Sequence, residues 1–531
     1  MSFSTGLSLT DLNDYISPSQ SCIKPVEVNK KSDIQQAIKI DQTGDYYEVA
    51  HDGTSTKLET ASISLNDCLA CSGCITSAES VLIALQSHKE LLDVLDKNRV
   101  ARDEGRLDDV KVVIVSISPQ TYATFASKYS ITLLQTAQRI TSVLKNLGVD
   151  HIFDTSFSRD LSLIRIAREF VDRYRTAKAA PRSATRSETS LPMLASACPG
   201  WVCYAEKTHD YVLPYISKTK SPQQIMGSLT KFFFADKLNT QRQVASNDTL
   251  STITPDRIYH LSIMPCYDKK LEASREDFFI PDFNAKEVDC VISSGELDKL
   301  MEERGIDFPN VDEVPLDRLF TKRNLARAAG TSSGGYLEYI LSYSARELFG
   351  LDLKGDDVER GESSLLKIET VRNADFREVS LILPDGSVGL RFAATYGFRN
   401  IQTLMRKIKI RRCQYDFVEV MACPSGCING GGQLKPGLLE SITPAVNGSS
   451  EALGNGPLAL KAMKPKEWIQ LCERVYRTLP TQDPMANLPL QDVVHDWFGE
   501  AGLDSQKAER FLATKYRALE RESTITAVVG W

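Results

Sequence analysis

The chain has 531 residues, of which 42% are hydrophobic and 25% are charged, and its formal net charge at pH 7 is −6. This composition is ordinary for a globular protein with a substantial core, and the acidic balance disfavours nucleic acid and anionic membranes as partners. The sequence has no apolar run of the roughly 18 residues that a membrane-spanning helix needs, so none is expected.

The predicted elements alternate between helix and strand after a mostly irregular stretch over residues 1–60. Apolar residues at helical spacing predict helices, and short continuous apolar runs predict strands buried on both faces. In chain order these are a helix over 80–97, a strand over 110–118, a helix over 131–147, a strand over 150–155 and a helix over 158–177. This alternation is typical of βαβ units on a parallel sheet.

A polar segment rich in small residues follows at 176–190 and predicts a mobile loop. Further strands are expected at 258–265, 288–293 and 415–422, with a hairpin over 379–395 that turns at Asp385-Gly386. Residues 435–458 predict another loop, and residues 483–520 predict short helices.

Three cysteines form a C-x-x-C-x-x-C run, Cys68, Cys71 and Cys74. The first residues of the chain lack the basic and apolar regions of a secretory signal, so we expect a cytosolic, nuclear or bacterial cytoplasmic protein with reduced, metal-binding thiols. The tight spacing without a nearby histidine favours a [4Fe-4S] cluster, with zinc as the competing metal. Cys22, just before Pro25, is the best candidate for the fourth ligand; the alternative is a free surface thiol.

Four further cysteines each lie shortly after an apolar stretch: Cys198, Cys266, Cys423 and Cys427. Sites of open α/β sheets lie beyond the carboxyl ends of strands, so these loops can converge on a second cubane. Pro424 and Gly426 predict a turn, and Gly430, Gly431 and Gly432 allow a close backbone approach. The alternative is that Cys198 and Cys266 are ordinary core cysteines.

The remaining cysteines have structural interpretations, and the six histidines show no metal-binding spacing. Cys290 and Cys472 are expected in the core, Cys203 is expected to be packed, and Cys413 is expected at the surface or at a strand edge.

The segments SACPGW (196–201), MPCYDKKLEASR (264–275) and EVMACPSGCINGGGQ (419–433) resemble, in order, the three signature segments of iron-only hydrogenases. SPQQIMG (221–227) and the glycine-rich stretch at 330–350 are also similar to hydrogenase segments, and residues 483–500 resemble the small C-terminal hydrogenase region. The opening, FSTGLSLTDLNDYISPSQSCIKP, resembles that of the Nar family, the hydrogenase-like proteins of the eukaryotic cytosolic iron–sulfur assembly machinery.

The resemblance implies an α/β fold of iron-only-hydrogenase type, with two lobes of parallel sheet flanked by helices around a central cluster. It implies two [4Fe-4S] clusters, one on Cys22, Cys68, Cys71 and Cys74 and one on Cys198, Cys266, Cys423 and Cys427. The expected domains are an irregular N-terminal cluster-binding segment (1–105), the hydrogenase-like core (106–482) and a helical C-terminal region with a tail (483–531).

The resemblance also bears on activity. In iron-only hydrogenases the first motif carries a cysteine pair whose first member relays protons to a di-iron centre, and this chain has Ala197 there. Lys269, Glu272 and Met264, which the motif places near the di-iron site, are retained. The sequence therefore predicts a non-enzymatic adaptor of cytosolic and nuclear iron–sulfur protein maturation. An electron-transfer protein or redox enzyme using both clusters is the second hypothesis, and an active hydrogenase is the third.

The last residue, Trp531, presents an aromatic ring beside the terminal carboxylate. Such a pair is either packed on its own domain or read by a partner. The family resemblance favours binding to the late cytosolic targeting complex, with WD40-type and HEAT-type subunits, and apo iron–sulfur proteins are further candidate partners. The expected localisation is cytoplasmic and also nuclear.

Overall fold

The structure is a computed structural model that describes residues 85–179, 191–245, 252–318, 320, 325–435 and 463–518, together with three short strands between residues 37 and 57. Its strands are β1 (Ala37–Ile40), β2 (Tyr46–Val49), β3 (Ser55–Lys57), β4 (Val112–Ile117), β5 (His151–Asp154), β6 (Met193–Ala195), β7 (Ile258–Met264), β8 (Phe279–Ile280), β9 (Ala285–Lys286), β10 (Cys290–Ser293), β11 (Leu366–Thr370), β12 (Phe376–Ile382), β13 (Val388–Tyr396) and β14 (Phe417–Met421).

The longer helices alternate with these strands, as in other α/β folds. They are α1 (His88–Asp103), α2 (Pro119–Tyr129), α3 (Leu133–Leu147), α4 (Ser156–Ala179), α5 (Pro199–Thr208), α6 (Pro222–Ser228), α7 (Ala235–Ala245), α8 (Asp268–Ala273), α9 (Ser294–Glu303), α10 (Tyr336–Phe349), α11 (Gly355–Arg360), α12 (Phe398–Lys409), α13 (Pro465–Arg477), α14 (Leu488–Phe498) and α15 (Gln506–Leu512). A π-helical turn, Leu229–Phe234, joins α6 to α7.

The first large sheet has the strand order β10-β7-β4-β5, and all its pairs are parallel. Val113 and Val115 of β4 pack into a core that includes Phe125 of α2, whereas Ile114 packs on the opposite face with Phe157 of α4. Both faces of this sheet are therefore buried, as the continuous apolar run of β4 predicts.

The second large sheet has the strand order β11-β12-β13-β14-β6. Its β13-β14-β6 part is parallel, whereas β11, β12 and β13 pair antiparallel, so this lobe is a mixed sheet. The antiparallel part contains the predicted hairpin, in which Gly386 has a φ of 82° at the turn. Phe170 of α4 packs edge-on against Phe392 and Phe417 of this sheet, so α4 is shared by the cores of both lobes.

The predicted α/β fold is confirmed, and the differences are local. The strands β1, β2 and β3 form a small antiparallel sheet in a region where the sequence predicted mostly irregular chain. The helix predicted over 80–97 begins at His88 and ends at Asp103. Residues 176–179 of the loop predicted at 176–190 are the last turn of α4, and the rest of that loop lies outside the described residues, as does the loop predicted at 435–458 apart from residue 435. No helix in the described part of the chain is long and apolar enough to cross a bilayer.

The carboxyl ends of three strands position the site described next. β6 leads towards Cys198, β7 towards Cys266, and β14 towards Cys423 and Cys427. Because β7 belongs to the first sheet and β6 and β14 belong to the second, the four cysteines come from both lobes.

Candidate metal centre

The three cysteine-bearing loops contact one another in every pairwise combination. The Cys198 sulfur lies 3.5 Å from the backbone nitrogen of Ala422, which joins the first loop to the third. The backbone N–H of Gly432 donates to the Pro265 carbonyl at 3.0 Å, which joins the third loop to the second. A Cβ on Gly200 would lie 2.8 Å from Asp268 Oδ2, so the first loop also lies against the second.

The loop from Cys423 to Cys427 is a tight turn, as its proline and glycine predict. Ser425 and Gly426 both have positive φ, 59° and 84°, and the Gly426 N–H donates to the Cys423 carbonyl at 3.1 Å. A Cβ on Gly426 would lie 2.0 Å from the Ser333 hydroxyl oxygen. Glycine is therefore required twice over at this position, by conformation and by space.

The glycines at 430–432 let backbone approach backbone. A Cβ on Gly430 would lie 2.3 Å from the Pro265 carbonyl oxygen, and one on Gly432 would lie 2.5 Å from the Ser293 Cβ. The sequence predicted that these glycines allow a close approach. In the structure Gly430 approaches the loop that carries Cys266, and Gly432 approaches both that loop and Ser293 at the end of β10.

Asp268 and the thiols themselves raise the pKa values of the thiols, in keeping with the contacts between the loops. Burial is the main cause that raises the pKa of Cys266 and of Cys423 well above the usual value, and Asp268 and other site cysteines raise it further. Burial and then Cys198 raise the pKa of Cys427 to about 12. Burial and then Asp268 raise the pKa of Cys198.

A cluster bound here would replace the thiol protons with irons. Metal-free thiols with raised pKa values stay protonated, and metal binding releases those protons. In the described residues no three His, Cys, Asp or Glu side chains form a site for a single metal ion. A cubane spreads its four thiolates over four irons, so its ligands need not reach one ion. The four-sulfur donor set and the close approach of the three loops therefore fit a [4Fe-4S] cluster.

Lys269 supplies positive charge beside this set. Its ammonium donates to Glu272 at 2.8 Å and to the Ser221 hydroxyl at 3.1 Å, and Gln223 also donates to Glu272 at 3.1 Å. The Lys269 charge lowers the pKa values of Cys198, Cys266 and Cys427, against the larger effect of burial. A buried cation beside several thiolates reduces the cost of their combined charge.

Ala197 lines a small cavity of about 30 Å³ beside Cys198. Cys203, Glu272 and Arg275 also line this cavity, and Arg275 is held by Glu206 through two hydrogen bonds of 2.8 Å. Cys203 was expected to be packed and is instead partly exposed at the cavity wall. The alanine methyl group offers no proton to transfer at this point.

The other predicted site residues have different outcomes. Cys22, Cys68, Cys71, Cys74 and Trp531 lie outside the described residues. Cys290 and Cys472 are buried in the core, as predicted.

The prediction for Cys413 is wrong, because its side chain is only 3% exposed. The basic residues before it predicted a surface position. The chain turns inward after α12, however, and Cys413 packs in the same core as Tyr415.

Sequence reasoning also missed a group of polar residues behind Cys427. The Cys427 N–H donates to the Ser333 hydroxyl at 3.0 Å, buried Glu419 lies further along the same network, and a second buried carboxylate, Glu338, acts on Glu419 electrostatically. Glu419 alone carried a signal, since a carboxylate inside the apolar run of β14 is unusual.

Comparisons with known proteins show similarity to iron-only hydrogenases and to iron–sulfur cluster assembly factors. The family described as "Iron only hydrogenase large subunit, C-terminal domain" matches residues 111–431. The chain is 45% identical to the cytosolic Fe-S cluster assembly factor narfl of Xenopus tropicalis, over 98% of each chain. It is also 45% identical to cytosolic iron-sulfur assembly component 3 of Rattus norvegicus, over 98% of this chain and 97% of that protein.

Solved hydrogenase structures share the fold. A variant of the [FeFe]-hydrogenase HydA1 from Chlamydomonas reinhardtii superposes with a TM-score of 0.60 at 24% identity, covering 81% of this chain and 99% of that chain. At this identity the likeness concerns the fold alone.

Proposed function

Because the chain belongs to the family of cytosolic iron–sulfur cluster assembly factors that share the iron-only hydrogenase fold, we propose that it is an iron–sulfur adaptor protein. In this role it links an early scaffold complex to a late targeting complex during the maturation of cytosolic and nuclear iron–sulfur proteins. The observation that carries the proposal is the convergence of four cysteine-bearing positions from both lobes, in a chain that resembles assembly factors along 98% of its length.

The central cluster of this proposal is a [4Fe-4S] group held by Cys198, Cys266, Cys423 and Cys427. Bound there, the group supplies a one-electron redox couple and a rigid four-point link between loops. The protein's own residues bury Cys198, partly bury the other three cysteines, join the three loops by backbone contacts and place the Lys269 ammonium near them. Gly426 and Gly432 keep side chains out of the turn and out of the contact between loops.

The absence of hydrogenase activity is the second part of the proposal. Ala197 stands where a hydrogenase has its proton-relay cysteine, and a methyl group neither accepts nor donates a proton. Lys269 and Glu272 are retained, but they bond to each other and to Ser221 and Gln223. The names of the relatives, which describe assembly factors and components, support a role other than hydrogen chemistry.

The N-terminal cluster and the tail complete the proposal. Cys22, Cys68, Cys71 and Cys74 hold a second [4Fe-4S] cluster, and Trp531 binds the targeting complex, which contains WD40-type and HEAT-type subunits. The tight C-x-x-C-x-x-C spacing supports the first assignment, and the aromatic ring beside a terminal carboxylate supports the second. The protein then works in the cytoplasm and in the nucleus, with apo iron–sulfur proteins as further partners.

Anaerobically purified protein tests the metal content. We expect about eight irons and a matching amount of acid-labile sulfide per chain, with EPR signals of reduced [4Fe-4S] clusters. Zinc without sulfide would contradict the proposal.

Activity is the second test, and it separates the adaptor from the other hypotheses. We expect hydrogen evolution from a reduced dye to stay at background, while maturation of an apo iron–sulfur acceptor depends on the protein together with its partners. Robust hydrogen evolution would favour a hydrogenase. Rapid reversible electron exchange with a soluble acceptor, without any effect on maturation, would favour an electron carrier.

A further inference from the structure

A pair of buried carboxylates lies directly behind the Cys423–Cys427 turn. Glu419 is on β14 and Glu338 is on α10, and each is only 1% exposed. Arg377 of β12 forms an ion pair with Glu338, and it is the only cation in ion-pair contact with either carboxylate among the described residues. Two buried carboxylates that share one cation are costly to ionise together.

Two hydrogen bonds hold the buried Glu419 carboxylate in place. The Tyr396 hydroxyl donates to Glu419 Oε1 at 2.8 Å, and the Leu337 N–H donates to Glu419 Oε2 at 2.9 Å. Burial, followed by the charge of Glu338, raises the pKa of Glu419 to about 7. The two hydrogen bonds and Arg377 act in the opposite direction.

A short chain of hydrogen bonds connects this carboxylate to the metal-binding turn. Tyr396 Oη lies 3.1 Å from the Thr331 hydroxyl, which accepts from the Ser333 N–H at 3.3 Å. The Ser333 hydroxyl in turn accepts from the Cys427 N–H at 3.0 Å. Glu419 is therefore separated from the cysteine by three polar residues, and its charge raises the pKa of Cys427.

The titratable and charged groups that face Glu419 come from each element packed against it. They are Glu338 and Tyr336 on α10, Arg377 on β12, Tyr396 on β13 and Cys427 on the cysteine loop. The tyrosines stay neutral, because burial raises the pKa of each of them. Glu419 thus remains as the group that can bind a proton near neutral pH. The Arg377 side chain, which is 25% exposed, links the pair to solvent.

We propose that Glu419, paired with Glu338, is a proton-binding site coupled to the redox state of the centre on Cys198, Cys266, Cys423 and Cys427. When a one-electron reductant adds an electron to the centre, Glu419 takes up one proton from solvent through the Arg377 side, and no covalent bond to the centre forms or breaks. The added negative charge favours the protonated carboxyl, and the protonated carboxyl favours the electron. The inference rests on the proposed function in one respect, that a cluster occupies the four cysteines.

The reduction potential should depend on pH in one window only. Below about pH 7 Glu419 is protonated in both redox states, so the potential is flat. Above it, Glu419 is ionised while the centre is oxidised and protonated when it is reduced, so each tenfold drop in proton concentration lowers the potential by about 59 mV. The window ends where the reduced state also loses the proton.

The experiment is an EPR-monitored reductive titration with dithionite, between pH 6 and pH 9, on the full chain. The Cys68→Ser/Cys71→Ser background removes the proposed N-terminal cluster, so that one signal remains. Iron, sulfide and the EPR signal establish the central cluster first, and their absence contradicts the proposed function. If the cluster is present and its reduction potential in this background, where Glu419 is unchanged, does not vary between pH 6 and pH 9, the proton-coupling inference is wrong.

Two substitutions test whether Glu419 is the group that binds the proton on reduction. Glu419→Gln, whose amide oxygen can accept from the Leu337 N–H while its NH2 group donates to the Tyr396 hydroxyl, should make the potential flat and leave it above the wild-type potential at pH 8. Tyr396→Phe removes a hydrogen bond to the ionised carboxylate, so the pH-dependent window should move upwards. The matched control is Glu378→Gln, because Glu378 also accepts from a tyrosine, Tyr415, but lies partly exposed on β12. A wild-type slope in Glu419→Gln would contradict the assignment.

Infrared spectroscopy gives an independent readout. The reduced-minus-oxidised difference spectrum at pH 8 should show a new protonated carboxyl band in the wild type and in Glu378→Gln, but not in Glu419→Gln. The Tyr396→Phe variant, which retains the carboxylate, should keep the band with a shifted frequency. A difference spectrum without any carboxyl band in the wild type would overturn the inference even where the variants fail to load a cluster.

Discussion

Gly426 shows how much the centre depends on one residue. Its φ of 84° forms the turn between Cys423 and Cys427, and a Cβ added here would lie 2.0 Å from the Ser333 hydroxyl oxygen. Because a strained backbone costs on the order of 1–3 kcal/mol and the clash adds to it, a side chain here disturbs Cys423 and Cys427 together.

We therefore predict that Gly426→Ala loses iron from the central cluster and lowers the free energy of unfolding by about 2 kcal/mol or more. The matched control is Gly386→Ala at the hairpin turn, where φ is 82° and no atom lies within 4 Å of an added Cβ. That variant should lose only the conformational cost, about 1 kcal/mol, and keep its iron. Iron analysis and thermal denaturation of both variants check this, and equal iron loss in both would contradict the steric argument.

His260 is a second residue whose effect can be stated in advance. It is fully buried on β7, between the Ser116 hydroxyl at 2.9 Å and the Glu287 carbonyl at 3.1 Å, and burial lowers its pKa to about 4. The unfolded chain protonates this histidine below about pH 6.5 while the folded protein does not. Stability is therefore lost as the pH falls from about 6.5 towards 4, and by up to roughly 3 kcal/mol.

The measurement is the apparent melting temperature of the anaerobic protein between pH 7.5 and pH 5. His260→Gln should lose stability at pH 7.5 but show a shallower decline at lower pH than the wild type. His495→Asn, at an exposed position on α14, should keep the wild-type profile. A wild-type pH dependence in His260→Gln would show that other groups cause the acid sensitivity.

At the scale of elements, the ends of β6, β7 and β14 define the centre. Each of these strands is short and fully buried, so the sheet fixes the position of its carboxyl end. The loop that follows each strand therefore begins at a fixed point. Backbone contacts between Gly432 and Pro265 then join the loops of the two sheets. A cluster on the four cysteines would add a covalent link to this junction.

We predict that removing one ligand destabilises the whole junction. Cys423→Ala should unfold several degrees below the wild type, because metal binding contributes to folding free energy when its ligands come from separate elements. Cys413→Ala is the control, since this cysteine is more deeply buried than Cys423 but lies away from the turn. Differential scanning calorimetry under anaerobic conditions compares them. A Cys423→Ala protein as stable as the control would contradict the role of the cluster as a link between lobes.

At the scale of the whole molecule, the two proposed clusters differ in their surroundings. The four central cysteines are enclosed by both lobes, and all eight cysteines within the described part of the chain are buried or only partly exposed. The proposed N-terminal ligands belong to a polar stretch of sequence. Exposure to air or a chelator should therefore remove the N-terminal cluster first, which quantitative EPR over time can follow. Loss of both clusters at one rate would contradict this order.

The chain end gives the prediction on partners. Deletion of Trp531 should weaken binding to the targeting complex, because an aromatic ring and a terminal carboxylate are recognised together. Cluster content and thermal stability should stay unchanged. Pull-down of the complex by the full-length and truncated proteins, with Trp531→Phe as the conservative variant, measures the effect. Equal recovery would exclude the docking role, and loss of fold on truncation would indicate a packed tail.

Much of this protein is determined by local sequence. Buried strands such as Val112–Ile117, the amphipathic helices and the hairpin turn at Asp385-Gly386 follow from apolar spacing and turn chemistry, which act between near neighbours. The central cysteine motifs identified loops that lie together in the structure, and their order along the chain resembles that of iron-only hydrogenases. The domain boundaries at 105 and 482 and the ligand roles stay predictions.

Only the tertiary structure decided which distant groups share a site. Glu338 and Glu419 are 81 residues apart along the chain and give no common pattern, yet α10 and β14 bring them together behind Cys427. Packing also decided that Cys413 is buried and that Cys203 is partly exposed. The physical reason is that burial and electrostatic coupling depend on every element around a residue, whereas sequence patterns report only the element to which it belongs.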